Sequence, residues 1–140
     1  MISLVRAQIA ARLLASAGLV RESAEPIELV RAASHSPVHL EFAVGSRAEG
    51  YEARNGVSKT SITVQIPYQL EGKDRIDGAT GYDAMLVVER AVLSALQTSD
   101  WGTLNPRLAS ISEIACVREP GPDGWIWIVV TLTAFHPSVT

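Results

Sequence analysis

Two apolar lines run along the start of the chain at helical spacing. Ile2, Val5, Ile9 and Leu13 form one, and Leu4, Ala7, Ala11 and Leu14 form a second on nearly the opposite side. Arg6 lies on one flank, Gln8 and Arg12 on the other. The pattern predicts a helix over residues 3–17, with Ser3 as N-cap and Gly18 ending it in left-handed geometry. One line must face the core. The other then needs cover too, because a helix apolar on two sides is normally buried on two sides.

Residues 20–36 show no single period. Glu22 and Glu25 suggest a solvated stretch, Pro26 breaks any helix, and Ile27-Glu28-Leu29-Val30 has the composition of a short strand. Alternation begins at Val38, with Leu40, Phe42 and Val44 pointing one way and Glu41 and Ala43 the other. Asn55-Gly56 is a strong hairpin signal, since both residues tolerate the positive φ of a type I′ turn. It joins the stretch ending at Arg54 to a strand with Ile62, Val64, Ile66 and Tyr68 on one face and Thr63 and Gln65 on the other. Around this turn Arg47, Glu49, Glu52, Arg54 and Lys59 make both faces polar. The tip therefore reads as a projecting arm or loop, with Arg47, Glu49 and Arg54 available to a partner.

A Gly- and Asp-rich loop over residues 71–81 leads into a second helix over 82–98, capped by Thr80 or Asp83. Met85, Val88, Val92, Ala95 and Leu96 form its core stripe, flanked by Leu86 and Leu93, while Glu89, Arg90, Ser94 and Gln97 define a wet side. A closing hairpin pairs residues 108–118 with 125–135 across the turn 119–124. Its last strand puts Ile126, Ile128, Val130, Leu132 and Ala134 on one face, and Trp125, Trp127 and Val129 on the other. An antiparallel strand covered on one face alternates with polar residues, and this one does so only from Thr131. Trp125 and Trp127 thus need cover from another element or another subunit. The element order is helix, strand pair, helix, strand pair. It predicts an α+β fold: an antiparallel sheet of about four strands with two helices packed on one face.

With 140 residues, 47% hydrophobic and 19% charged, the chain makes one domain over residues 1–140 with its own core. A net charge of −3 argues against affinity drawn from nucleic-acid phosphate. The Arg and Lys residues are scattered among the acids, away from the few aromatics, so no specific nucleic-acid binding is expected. Arg6, Gln8 and Arg12 interrupt the first apolar run, so no segment is expected to span a membrane. Ala15-Ser16-Ala17 mimics a cleavage site without the unbroken apolar run of a leader.

Candidate chemistry is sparse. Cys116 is the single cysteine, which excludes an intrachain disulfide; it lies mid-strand, where a buried inert thiol is expected. His35 and His39 are four apart, but Ser36-Pro37 forbids the helix that would bring them together on a metal. His136 follows the last strand, beside Pro137. The loop Asp74-Arg-Ile-Asp-Gly-Ala-Thr-Gly81 precedes a helix, yet Asp74 and Asp77 repel phosphate and the Gly-Lys-Ser/Thr ending is missing. Asp74, Asp77 and Asp83 match no calcium loop, and no serine sits in a Gly-x-Ser-x-Gly elbow. No catalytic residue, cofactor or metal is expected.

Four features together carry a resemblance. They are the leading helix Ile2-x-x-Val5-x-x-x-Ile9-x-x-x-Leu13, the strand Ser61-Ile-Thr-Val-Gln-Ile-Pro67, the helix from Tyr82 to Leu96, and the closing Trp125-Ile-Trp-Ile-Val-Val-Thr-Leu-Thr-Ala-Phe135. In element order, length and texture the chain resembles the tail terminator (tail-completion) proteins of long-tailed bacteriophages, of the minor tail protein U and Mu-like types. The resemblance implies a homo-oligomeric ring, usually a hexamer, that caps the tail tube at its head-proximal end. Its partners would be the tail-tube protein and the head–tail connector proteins. It also implies a virion protein made in the host cytoplasm, neither an enzyme nor a cofactor binder. The resemblance carries no site residue across. Candidate contact residues come from the pattern alone: Leu4, Ala7, Ala11 and Leu14; Arg47, Glu49 and Arg54; Trp125 and Trp127. Two other readings stay open, a different neck or tail-tube-end adaptor, and a small α+β ligand-binding module or enzyme.

Overall fold

The computed structural model of the chain describes residues 2–16, 18–23, 37–52, 57–70, 78–97, 110–121 and 124–137. In chain order the elements are helix α1 (Ile2–Ser16), strands β1 (Arg21–Glu22), β2 (Glu41–Glu52) and β3 (Val57–Gln69), helix α2 (Gly78–Leu96), and strands β4 (Ser110–Pro120) and β5 (Trp125–Pro137). The fold is α+β, and the described residues form two helices and one mixed sheet of five strands in the order β1-β2-β3-β5-β4.

The β2–β3 and β4–β5 hairpins are antiparallel as expected. The centre of the sheet is the pairing of β3 with β5, unbroken from Val57 opposite Pro137 to Gln69 opposite Trp125. The all-antiparallel expectation is corrected by β1, which joins the edge of β2 in parallel, Arg21 opposite Glu41 and Glu22 opposite Phe42. A strand of two residues has no period to read. Backbone bonds hold it, Val20 N–H to the Leu40 carbonyl and Ser23 N–H to the Phe42 carbonyl. Ion pairs flank it: Arg21 Nε donates to Glu41 Oε2 at 2.6 Å, and Arg6 Nη2 to Glu22 Oε1 at 2.9 Å.

One face of the sheet carries the core. Phe42 and Val44 from β2, Ile62, Val64, Ile66 and Tyr68 from β3, and Ile128, Val130, Leu132 and Ala134 from β5 form one buried cluster with both helices. From α1 it takes Val5, Ile9, Ala10 and Leu13, which settles which apolar line turns inward. From α2 it takes Met85, Val92, Ala95 and Leu96, with Val88 and Leu93 partly buried against it. Burying side chains of this size contributes roughly 1.5–3 kcal/mol each, the main favourable term in such a fold.

Element ends differ from the sequence reading. Helix α1 ends as expected before Gly18, whose φ is +68°. It starts at Ile2, so Ser3 lies inside its first turn. Helix α2 begins at Gly78, so Thr80 and Asp83 are helical rather than caps. Strand β2 begins at Glu41, because residues 38–41 form a turn closed by Glu41 N–H donating to the Val38 carbonyl at 3.0 Å. Leu40 occupies its left-handed position with φ 62°. Leu40 N–H donates to the Pro67 carbonyl and its own carbonyl accepts from Val20 N–H. Those two bonds and partial burial of the side chain against the core hold a leucine where glycine is favoured.

The segment read as a projecting arm is corrected. Strand β2 continues to Glu52 and β3 starts at Val57, and β5 runs alongside β3 through His136 and Pro137. Most of the arm is therefore three-stranded sheet. Asn55-Gly56, Ile27-Glu28-Leu29-Val30, His35 and Asp74 and Asp77 lie outside the described residues.

Candidate functional site

The second apolar line of α1 is uncovered. Ala7, Ala11 and Leu14 are exposed, Leu14 at 44%, while Val5, Ile9 and Leu13 on the other side are sealed in the core. Leu4 belongs to α1, but its side chain lies outside the described residues. Helix α1 lies over the β1–β2 side of the sheet, and Glu89 ties α2 to β4 on the other side. The helices meet between these positions, so Ala7, Ala11 and Leu14 open to solvent away from both sheet and partner helix. On α2, Leu86 and Val87 are also exposed, Val87 at 68%.

The arm residues are only partly brought into view. Arg47 is exposed on β2, opposite Ser61. The ladder slips by one residue between Ala48 and Gly50, so Glu49 is the extra residue of a β-bulge. The Glu49 side chain and all of Arg54 lie outside the described residues.

Trp125 and Trp127 stand on the sheet face opposite the helices, since their strand neighbours Ile126 and Ile128 face the core cluster. Trp127 is 5% exposed and forms a second buried cluster with Val129 and Ala43. The cover that the sequence demands for Trp127 is thus supplied within one chain, and not by α1, which lies on the other face. Trp125 is half-buried. Gly121 lies close to the Trp127 indole and the Trp125 backbone: a Cβ there would stand 3.3 Å from Trp127 Nε1 and 3.3 Å from the Trp125 carbonyl oxygen.

One polar arrangement was missed by the sequence reading. Glu89, assigned to the wet side of α2, is 7% exposed and buried against β4. Arg118 Nε donates to Glu89 Oε1 at 2.7 Å and Oε2 at 2.8 Å, and Arg118 Nη1 donates to the Tyr82 hydroxyl at 2.9 Å. The guanidinium also lies over the Tyr82 ring, 5.1 Å from its centroid. These hydrogen bonds, to Glu89 first and Tyr82 second, hold the Arg118 proton more tightly than usual. The signal was present: Glu89 is four residues after Met85 and three before Val92, which puts it on the core stripe.

Glu89, Leu93, Cys116 and Arg118 line an open recess of about 310 Å³ between α2 and β4. Burial pushes the half-buried Cys116 thiol above its usual range; the Glu89 charge adds to this and Arg118 opposes it. A thiol so placed is a poor nucleophile, and the Glu89 carboxylate is already taken up by Arg118. The recess reads chemically as a tie between α2 and the sheet edge. His39 is exposed in the turn before β2, its Nδ1 accepting from Gln69 N–H at 3.1 Å and its ring edge-on to Tyr68.

Among the described residues no group of three or more His, Cys, Asp or Glu is placed to hold a metal ion. No helix among them is long and apolar enough to cross a membrane. No protein-family model and no curated protein matches the chain.

Proposed function

We propose that the chain is a structural protein that assembles with copies of itself, and that the assembly is the ring of a phage tail terminator. One observation carries the first part: α1 leaves Ala7, Ala11 and Leu14 in water on a helix whose other side is already sealed in the core. A helix with apolar residues on both sides gains by burying the second against another molecule. The element order and the resemblance described above support the second part. On this reading the ring, a hexamer, caps the tail tube at the head-proximal end of the virion tail. It meets the tail-tube protein below and the head–tail connector proteins above. Nothing in that task requires a catalytic group, a cofactor, a membrane or sequence-specific contact with nucleic acid.

Native mass spectrometry and sedimentation at tens of micromolar, on the order of a usual interface affinity, test the first part. The expected result is a closed oligomer. Leu14→Glu should leave the chain folded within about 1 kcal/mol, because the site is exposed, and should abolish the oligomer. A wild-type chain that stays monomeric in solution and fails to cap purified tail tubes in electron micrographs would overturn the proposal.

A further inference from the structure

We infer that neighbouring copies join by continuing one sheet into the next, the edge of β4 in one copy pairing antiparallel with the free edge of β2 in its neighbour. This rests on the self-assembly reading above and adds a strand contact to the helical one proposed there.

Among the described residues, the outer edge of β2 is occupied only at its beginning. The Leu40 carbonyl accepts from Val20 N–H at 3.1 Å, the Phe42 carbonyl from Ser23 N–H at 2.6 Å, and the Val44 carbonyl from Arg6 Nε at 3.0 Å. Arg6 thus completes the edge where β1 leaves it. From Ser46 to Glu52 nothing among the described residues pairs with that edge. On the far side of the sheet, β4 is outermost along all of Ser110–Pro120, and no described strand lies beyond it.

Natural edges are blunted by outward charge, proline or bulges. Strand β4 has a bulge between Ser112 and Ala115 and a proline at its end, Pro120. Between them the strand carries two charges, Arg118 and Glu119. Its exposed arginine, Arg118, is turned over the helix side and held by Glu89 and Tyr82. Its other face carries Ala115, Val117 and Glu119, with Val117 53% exposed and Glu119 half-buried next to Pro120.

The two edges also match in direction. Strand β3 is antiparallel to β2, β5 to β3 and β4 to β5, so β4 runs opposite to β2. Copies set side by side in the same orientation therefore bring β4 and β2 together as an antiparallel pair. The contact uses two different surfaces of the chain, which makes it heterologous: it closes into a ring when the rotation per copy allows. Backbone hydrogen bonds would supply the register, as in other strand additions.

Cross-linking with full-length chain tests the inference. In a Cys116→Ala background, Arg47→Cys and Ala115→Cys place exposed thiols on the same sheet face, one beside each edge. A bis-maleimide reaching about 10 Å, roughly two strand spacings, should convert the double variant into a ladder of covalent multimers ending at ring size. Each single variant should stay uncoupled. Native mass spectrometry of the same samples separates the two ways of failing. An intact oligomer without a ladder, or a single variant that couples to itself as a dimer, overturns the edge-to-edge joint and leaves self-assembly standing. Monomer alone overturns both.

Discussion

A carboxylate set between Met85 and Val92 on a helix is carried toward the core with them, and Glu89 meets Arg118 there. The bidentate bond compensates a charge that would otherwise be costly to bury. Its negative charge also acts on Cys116 across the recess, adding to the upward shift that burial produces. In the folded chain the thiol therefore ionises above the ordinary cysteine range of about 8.5. The sign follows for stability. The contribution of the neutral buried thiol is complete below the unfolded-state pKa and is lost as pH rises through the higher folded-state value. We expect the iodoacetamide rate at Cys116 to rise with a midpoint above that of a free thiol. Glu89→Gln, which removes the charge but keeps the shape, should move that midpoint down. A midpoint unchanged by Glu89→Gln would show that burial acts without help from the carboxylate.

Strand β5 was legible as a strand needing cover on both faces, because neither face alternates with polar residues over its first half. Its isoleucine face was assigned correctly to the main core. What the pattern left open was the cover over the tryptophan face, and the single chain supplies it at Trp127. Trp127→Ala should therefore destabilise the isolated chain by roughly 3–5 kcal/mol, read from urea unfolding below the concentration of assembly. A loss under about 1 kcal/mol, the range of exposed positions, would mean that the indole is covered only on assembly. Helix α1 poses the opposite case. Its two lines are both apolar, and period alone ranks neither. The line with Val5, Ile9 and Leu13 goes inward because it removes more apolar surface from water than one built around Ala7 and Ala11.

For the whole molecule, the main departure from the sequence reading is that β3 and β5 stay paired to the start of β3, which turns an expected arm into sheet. Thr60 and Thr133 are buried near its base. Cutting the β2–β3 hairpin back to Gly45 and Ser61 would strip paired strand from β5, not trim a loop. The expected cost is on the order of 2 kcal/mol, or roughly 6–10 °C in a melting curve for a chain of this size. A melting temperature unchanged within a few degrees would show that the pairing beyond Ser61 contributes nothing to the fold. Arg47 stays exposed on this segment, so the segment remains a candidate contact region although it is not a free arm.

Element type and inward face were readable from the chain because the helical and strand periods are local properties of adjacent residues. That is why the stripe of α2, the two faces of β3 and β5, and the end of α1 at Gly18 all follow from residue order. Which strands lie side by side is set by non-local backbone hydrogen bonds, which almost any residue can make whatever its side chain. The interior place of β5, the parallel addition of β1 and the place of β4 at an edge therefore emerge only when the chain is assembled in space. The same holds for Glu89: its place on the stripe is local, but the arginine that makes its burial tolerable arrives from an edge strand that follows α2 in the chain.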